Sequence, residues 1–275
     1  MFNELIQAAK ANAFRKQHRN GNLLILPNIW DALGARLMTK LGYPSVATAS
    51  VSTALANGYL DGEHIPFSRL LEIVQTISSA VDVPVTVDIE RGFAVGLPQL
   101  KENIRLLIEH GAVGVNLEDS EAGHNKLYSI IEQCRKIEAV RETSIQCGVS
   151  LVINARTDVF IISPEDNAVN QGIERGRSYH SAGADCIYPV TISSYEDITR
   201  FVEELAMPLN VLLMKSIPDL RRLKEIGVAR VSLGPQLLSH VLTVMKEIAE
   251  GLLLEDSTVF FNRQLITREF RDSLV

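Results

Sequence analysis

Asp88 and Glu90 stand two residues apart at the end of an apolar run, Pro84-Val-Thr-Val-Asp-Ile-Glu90. Glu118 and Asp119 close a second run, Gly114-Val-Asn-Leu-Glu-Asp119, and Asn154, Arg156 and Asp158 punctuate a third. Charges that end runs of Val, Ile and Leu are out of place on a solvated surface. Carboxylates gathered on one rim repel one another strongly where the dielectric is low, and without a cation some of them take up protons. A hard divalent ion that keeps several waters, Mg²⁺ or Mn²⁺, resolves that repulsion. Histidine is nearly absent from these positions, which argues against zinc. As strand residues two apart, Asp88 and Glu90 would point to the same side; their bland reading is a hydrogen-bonded pair that orients loops. Arg156 offers a planar fork for a carboxylate or phosphate; its bland reading is a buried salt bridge to Glu118 or Asp158. Asp61 lies in Asn57-Gly-Tyr-Leu-Asp-Gly-Glu63, which also reads as an ordinary turn. His64 and His124 read as solvated loop histidines, and Lys215 could meet an anionic substrate.

The elements that would position these groups recur at even spacing. Short β-rich runs span Leu23–Leu26, Ser45–Ala49, Pro84–Asp88, Ala112–Leu117, Ser150–Ala155, Asp185–Tyr188, Leu209–Leu213 and Arg230–Leu233. Near-continuous apolar character is expected of strands covered on both faces. Between them lie helical spacings, such as Leu100, Ile104, Leu107 and Ile108 within 97–110. Gly42, Gly111, Gly183 and Gly227 suit the left-handed position that ends a helix. Eight strand–helix units in alternation predict a (β/α)₈ TIM barrel over residues 1–250. The competitor, an open doubly wound sheet, would more often carry a Gly-rich turn after its first strand. Residues 251–275 form a C-terminal helical extension. Its apolar groups (Val259, Phe260, Phe261, Leu265, Ile266 and Phe270) would be costly to expose, so it is expected to pack on the barrel or on a neighbouring subunit.

With 275 residues, 46% of them hydrophobic, the chain is long enough for one large core. A net charge of −6 without a Lys/Arg cluster argues against nucleic acid as a partner. Cys134, Cys147 and Cys186 are odd in number and form no CxxC pair, so reduced, packed thiols in a cytoplasmic enzyme are expected. No window is apolar enough to span a bilayer, and the amphipathic N-terminus lacks the core of a signal peptide.

Five ordered motifs carry a resemblance that covers nearly the whole chain: Pro27-Asn-Ile-Trp-Asp-Ala32; Ala47-Thr-Ala-Ser-Val51 with Gly58-Tyr-Leu-Asp-Gly-Glu63; Pro84 through Gly92; Gly114-Val-Asn-Leu-Glu-Asp-Ser120; and Ile153-Asn-Ala-Arg-Thr-Asp158. On these the chain resembles the phosphoenolpyruvate mutase/isocitrate lyase superfamily. The resemblance implies a Mg²⁺-binding barrel acting on a small 2-oxo or 2-hydroxy carboxylic acid. Asp88 would approach the metal, with Glu90 and Glu118 holding its water shell. Arg156 would bind a substrate carboxylate or stabilise a departing enolate, and Asp61 would sit near the reacting bond. Ala49 and Ser50 would cradle the substrate carboxylate, with Trp30 and Asn125 also on the substrate side. The resemblance further implies a homodimer or homotetramer with an exchanged C-terminal helix.

Two departures bear on the reaction. The lyases' Lys-Lys/Arg-Cys-Gly-His loop, whose Cys serves as acid, is missing here. The longer fourth loop of the mutases and hydrolases is reduced to Glu121-Ala-Gly-His-Asn-Lys126, in which His124, Asn125 and Lys126 could substitute in part. The reading reached is a Mg²⁺-dependent lyase or decarboxylase that breaks a C–C bond through an enolate. P–C bond chemistry on phosphonopyruvate is the first alternative, and a barrel that only binds a metabolite is the second.

Overall fold

The computed structural model describes residues 3–19, 21–121, 123, 125–163 and 167–275. Nine strand segments follow in order: β1 Leu24–Leu26, β2 Asn28–Ile29, β3 Val46–Thr48, β4 Val85–Asp88, β5 Gly114–Glu118, β6 Val152–Thr157, β7 Cys186–Pro189, β8 Asn210–Leu212 and β9 Arg230–Ser232. Every pairing between them is parallel. One ladder runs β2-β3-β4-β5-β6-β7 and the other β1-β9-β8. They meet at two seams. At one, Pro27, which cannot donate to a ladder, separates β1 from β2. At the other, Ile187 of β7 bridges in parallel to Leu209 just before β8. β1 and β2 are thus one strand bent at a proline, and the eight strands expected from the sequence form a (β/α)₈ barrel.

The reasons for these elements are local. The strand segments are almost wholly buried because helices cover their outer faces. Helix Leu97–Glu109 buries Leu100, Ile104, Leu107 and Ile108, the stripe its periodicity predicts. Helix Ile130–Gln146 opens on a capping box in which Ser129 and Glu132 satisfy each other's backbone N–H groups. The predicted helix-ending glycines all have left-handed φ: 93° at Gly42, 106° at Gly111, 108° at Gly183 and 98° at Gly227.

Helix Glu4–Gln17 lies across the strand entrances. Gln7 donates to the carbonyl of Ala112, ahead of β5, and Arg15 donates to the carbonyls of Ser150 and Leu151, ahead of β6. Chemistry is therefore left to the opposite end, where the strands finish. Helix Gln236–Leu253 is followed by two short helices, Thr258–Phe261 and Arg268–Asp272. The last residues dock on helix Ala32–Lys40 of the same chain: Arg36 donates to the Leu274 carbonyl at 3.1 Å, and Lys40 lies over the Phe270 ring. Phe261 (75%), Leu265 (66%) and Ile266 (60%) remain exposed. Among the described residues no helix is long and apolar enough to cross a membrane.

Candidate active site

The mouth of the barrel is organised by two guanidinium groups set among carboxylates. Glu118 ends β5, and Arg156 stands opposite it on β6. Arg156 Nη1 lies 3.0 Å from Glu118 Oε2, while its Nε and Nη2 grip Asp158 at 2.6 and 3.1 Å. Both bland alternatives for Arg156, a pair with Glu118 and a pair with Asp158, are present together. Arg91 approaches Glu118 from the other side, with Nη1 3.1 Å from Oε1, and also flanks Glu63 and Glu90 at 3.5 and 3.7 Å. Ser120 adds a hydroxyl donor to Glu118 Oε1 at 2.9 Å.

Asp88 ends β4. Its Oδ1 accepts the Glu90 N–H at 3.1 Å, and its own N–H donates to Thr48 Oγ1 at 3.0 Å. Glu90 is brought inward by a mechanism other than strand alternation. The strand stops at Asp88, and Glu90 sits in the following turn with φ of 46°. The expectation that Asp88 and Glu90 share a strand face is therefore corrected: a left-handed turn places Glu90, and its Oε1 accepts the N–H of Glu63 at 2.8 Å.

Burial dominates the titration of all three acids. It raises Asp88, with Asp61 adding to the rise and Arg156 opposing it. Glu90 is raised to about 8 by burial and then by Asp88. Glu118 is raised to about 7 by burial, although Arg156 works against the shift. Carboxylates whose mutual repulsion makes ionisation costly favour a bound cation. Among the described residues, no three His, Cys, Asp or Glu side chains form a cage for a metal ion. The oxygen donors instead suit a hard cation held by one or two carboxylates, with water and substrate completing its shell, which is the habit of Mg²⁺.

The acids do not all converge. Asp119, next to Glu118, points to the opposite side of the strand, where it accepts Tyr179 O–H at 2.7 Å, Arg175 at 3.1 Å and the Asp158 N–H at 2.9 Å. Asp31 caps helix Ala32–Lys40 through the Gly34 N–H. Glu63 turns its carboxylate onto the N–H groups of Arg91 and Phe93. Asp61 is exposed on the loop after helix Ser50–Ala56, within electrostatic reach of Asp88 and Glu90. Ala49 is the buried cap residue of that helix, and the Ser50 N–H faces Asp88.

Two further residues are expected on the substrate side. Trp30 lines a groove of about 330 Å³ with Ala32, Ala56, Arg69, Ile73 and Ile77. Asn125 is exposed on the loop pinched by the Ser120–Leu127 bridge, where Lys126 pairs with Glu121 at 2.9 Å. His124 lies outside the described residues. Sequence reasoning assigned no role to Arg91 or Glu63, although both stand inside the quoted motifs. Their signal was position: each follows closely on an acid named for the site, Glu63 after Asp61 and Arg91 after Glu90.

The model of the phosphoenolpyruvate phosphomutase family matches residues 14–253. A 2-methylisocitrate lyase of Bacillus subtilis (strain 168) is 27% identical over 210 residues, which cover 74% of this chain and 67% of that one. An oxaloacetate decarboxylase of Pseudomonas putida (strain GB-1) is 27% identical over 226 residues, covering 78% and 75%. Among solved structures, a candidate phosphonomutase of Burkholderia cenocepacia J2315 is 36% identical, with a TM-score of 0.84, and covers 88% of this chain and 99% of that one.

Proposed function

Because the chain belongs to the phosphoenolpyruvate phosphomutase family, we propose that it is a Mg²⁺- or Mn²⁺-dependent carbon–carbon lyase or decarboxylase of a small 2-oxo or 2-hydroxy carboxylic acid. The observation that carries this reading is the arrangement around Arg156. A guanidinium pinned by Glu118 and Asp158 lies within electrostatic reach of Asp88, two strands away, so a fixed positive charge stands near a desolvated acid. A 2-oxo carboxylate held between them would have a cation on one side and Arg156 on the other as negative charge develops. Preorganised charge of this kind acts with little reorganisation.

Asp88 would hold the metal directly or through water, with Glu90 and Glu118 around its water shell. When bound, the ion supplies Lewis acidity toward the carboxylate and 2-oxygen of the substrate. Backbone N–H groups at Ala49 and Ser50 would receive the substrate carboxylate, and Asp61 would sit over the reacting bond. The lyase and decarboxylase relatives support C–C cleavage. The test is a panel of 2-oxo acids, oxaloacetate and isocitrate-like acids incubated with Mg²⁺ and followed by NMR. Cleavage of at least one panel member is expected; no cleavage of any, with no Mg²⁺ binding by calorimetry, would favour a metabolite-binding barrel.

One observation keeps P–C chemistry in view: the 36% identical relative is a candidate phosphonomutase. Release of phosphate or formation of phosphoenolpyruvate from phosphonopyruvate would select that reading. The exposed apolar residues Leu254, Phe261, Leu265 and Ile266 support assembly into a homodimer or homotetramer. Light scattering on the eluting protein reads that directly.

A further inference from the structure

Cleavage through an enolate ends with a proton delivered to carbon, and the interior acids are already engaged as acceptors. Glu118 and Asp158 receive Arg156, Glu90 receives the Glu63 N–H, and Asp88 receives the Glu90 N–H. Tyr188 differs from all of them. It lies on β7 in register with Arg156 of β6, one step round the barrel. Its neighbour Ile187 packs outward beneath Gly176 of helix Ala168–Ser181, so Tyr188 faces the barrel interior. The charged groups around its ring are Arg156, Asp88, Arg230 and Asp158, which are the walls of the mouth and the floor beneath it.

The ring is buried, at 6% exposure, and its hydroxyl makes no hydrogen bond to the described residues. A buried tyrosine ordinarily finds a partner for its O–H. Tyr179 in this same protein does so twice over, through Asp119 and Arg175. An unspent donor aimed into a ring of charges marks a place for an incoming group.

We propose that Tyr188 is the catalytic acid of this site, its O–H giving a proton to the carbon freed when the C–C bond breaks. The inference rests on the lyase reading above. The electron pair of the broken bond enters the enolate. The enolate carbon then takes the Tyr188 proton as a new C–H bond forms, and the phenolate left behind recovers a proton from water. No electrons are gained or lost overall. Burial holds the hydroxyl above the usual phenol range, so it reaches the enolate still protonated.

The experiment uses the full chain with Mg²⁺ and two probes. One is exchange of the C3 protons of pyruvate and 2-oxobutyrate with D₂O, followed by NMR. The other is oxalate binding by calorimetry, since oxalate mimics an enolate. The Tyr188→Phe variant, with its fold checked by thermal melting, should lose roughly 100-fold or more in exchange, the range of a general acid. It should keep oxalate affinity within about threefold of the parent, because uniform binding is untouched. Exchange at the parental rate, or equal losses in exchange and oxalate affinity, overturns the assignment while leaving the lyase reading intact. A parent protein that exchanges neither 2-oxo acid overturns both.

Discussion

The backbone N–H of Glu63 donates to Glu90 Oε1 at 2.8 Å, and Glu63 returns the contact with a carboxylate that accepts the N–H groups of Arg91 and Phe93 at 3.1 and 2.8 Å. This clasp ties the loop bearing Asp61 to the turn bearing Glu90. It also holds three non-glycine residues in left-handed backbone, with φ of 64° at Glu63, 46° at Glu90 and 52° at Phe93. Such conformations cost about 1–3 kcal/mol each and persist only where the surroundings impose them. Removing the Glu63 carboxylate by Glu63→Ala should cost about 3 kcal/mol in urea unfolding from two lost charge-assisted bonds, a loss that any released strain partly offsets. Glu63→Gln, which still accepts, should lose about a third of that. Equal stability of the alanine variant and the parent would show the clasp to be incidental.

Arg156 is the hinge of the charge balance. Arg156→Met leaves Asp158 buried without a cation and Glu118 with Arg91 alone, and should destabilise the fold by about 3 kcal/mol. Adding Glu118→Gln to that variant should recover part of the loss, because one of the stranded charges is gone. A double-mutant cycle in urea measures the coupling, and strict additivity would mean that the two side chains do not interact.

The raised acids make a pH prediction for the metal-free protein. Glu90 titrates at about 8 and Glu118 at about 7 in the fold, against 4.5 for an unperturbed Glu. A carboxyl raised by folding binds its proton more tightly when folded. Its contribution is full below the unfolded value and is lost as pH rises through the folded one. The melting temperature should therefore fall steadily between pH 5 and pH 9. Glu90→Gln should flatten the slope, and Mg²⁺ should reverse most of the fall at high pH. A melting temperature that rises across this window would contradict the burial of both acids.

Asp88→Asn removes the charge at the end of β4 with little change in shape. Turnover on whichever panel acid is cleaved should drop by about 10²-fold or more, as expected when an electrostatic contact specific to the transition state is lost. Thermal stabilisation by Mg²⁺ should disappear with it. Calorimetry giving the parental Mg²⁺ affinity would remove Asp88 from the metal site.

Asp119 supplies the contrast. Tyr179→Phe takes one donor from its buried carboxylate and should cost about 1.5 kcal/mol, while oxalate affinity at the mouth stays the same. A large change in oxalate binding would mean that the two sides of β5 are coupled.

The sequence by itself determined the barrel and the strand ends that carry its polar residues. Eight apolar runs, the four helix-ending glycines and the polar residues closing each run all follow from short-range rules, since a strand covered on both faces must be apolar and a left-handed helix end favours glycine. Asp88, Glu118 and Arg156 were legible for the same reason: each ends a buried run where a charge needs a partner. Tertiary structure decided the rest. The adjacent acids Glu118 and Asp119 went to opposite faces, one to the mouth and one to Tyr179. Glu90 reached the mouth through a left-handed turn held by a residue 27 positions earlier. Arg91, Glu63 and Tyr188 acquired their places from partners on other strands and loops. An ion pair, or an unpaired hydroxyl, depends on distances between segments far apart in the chain, and no local pattern carries those distances.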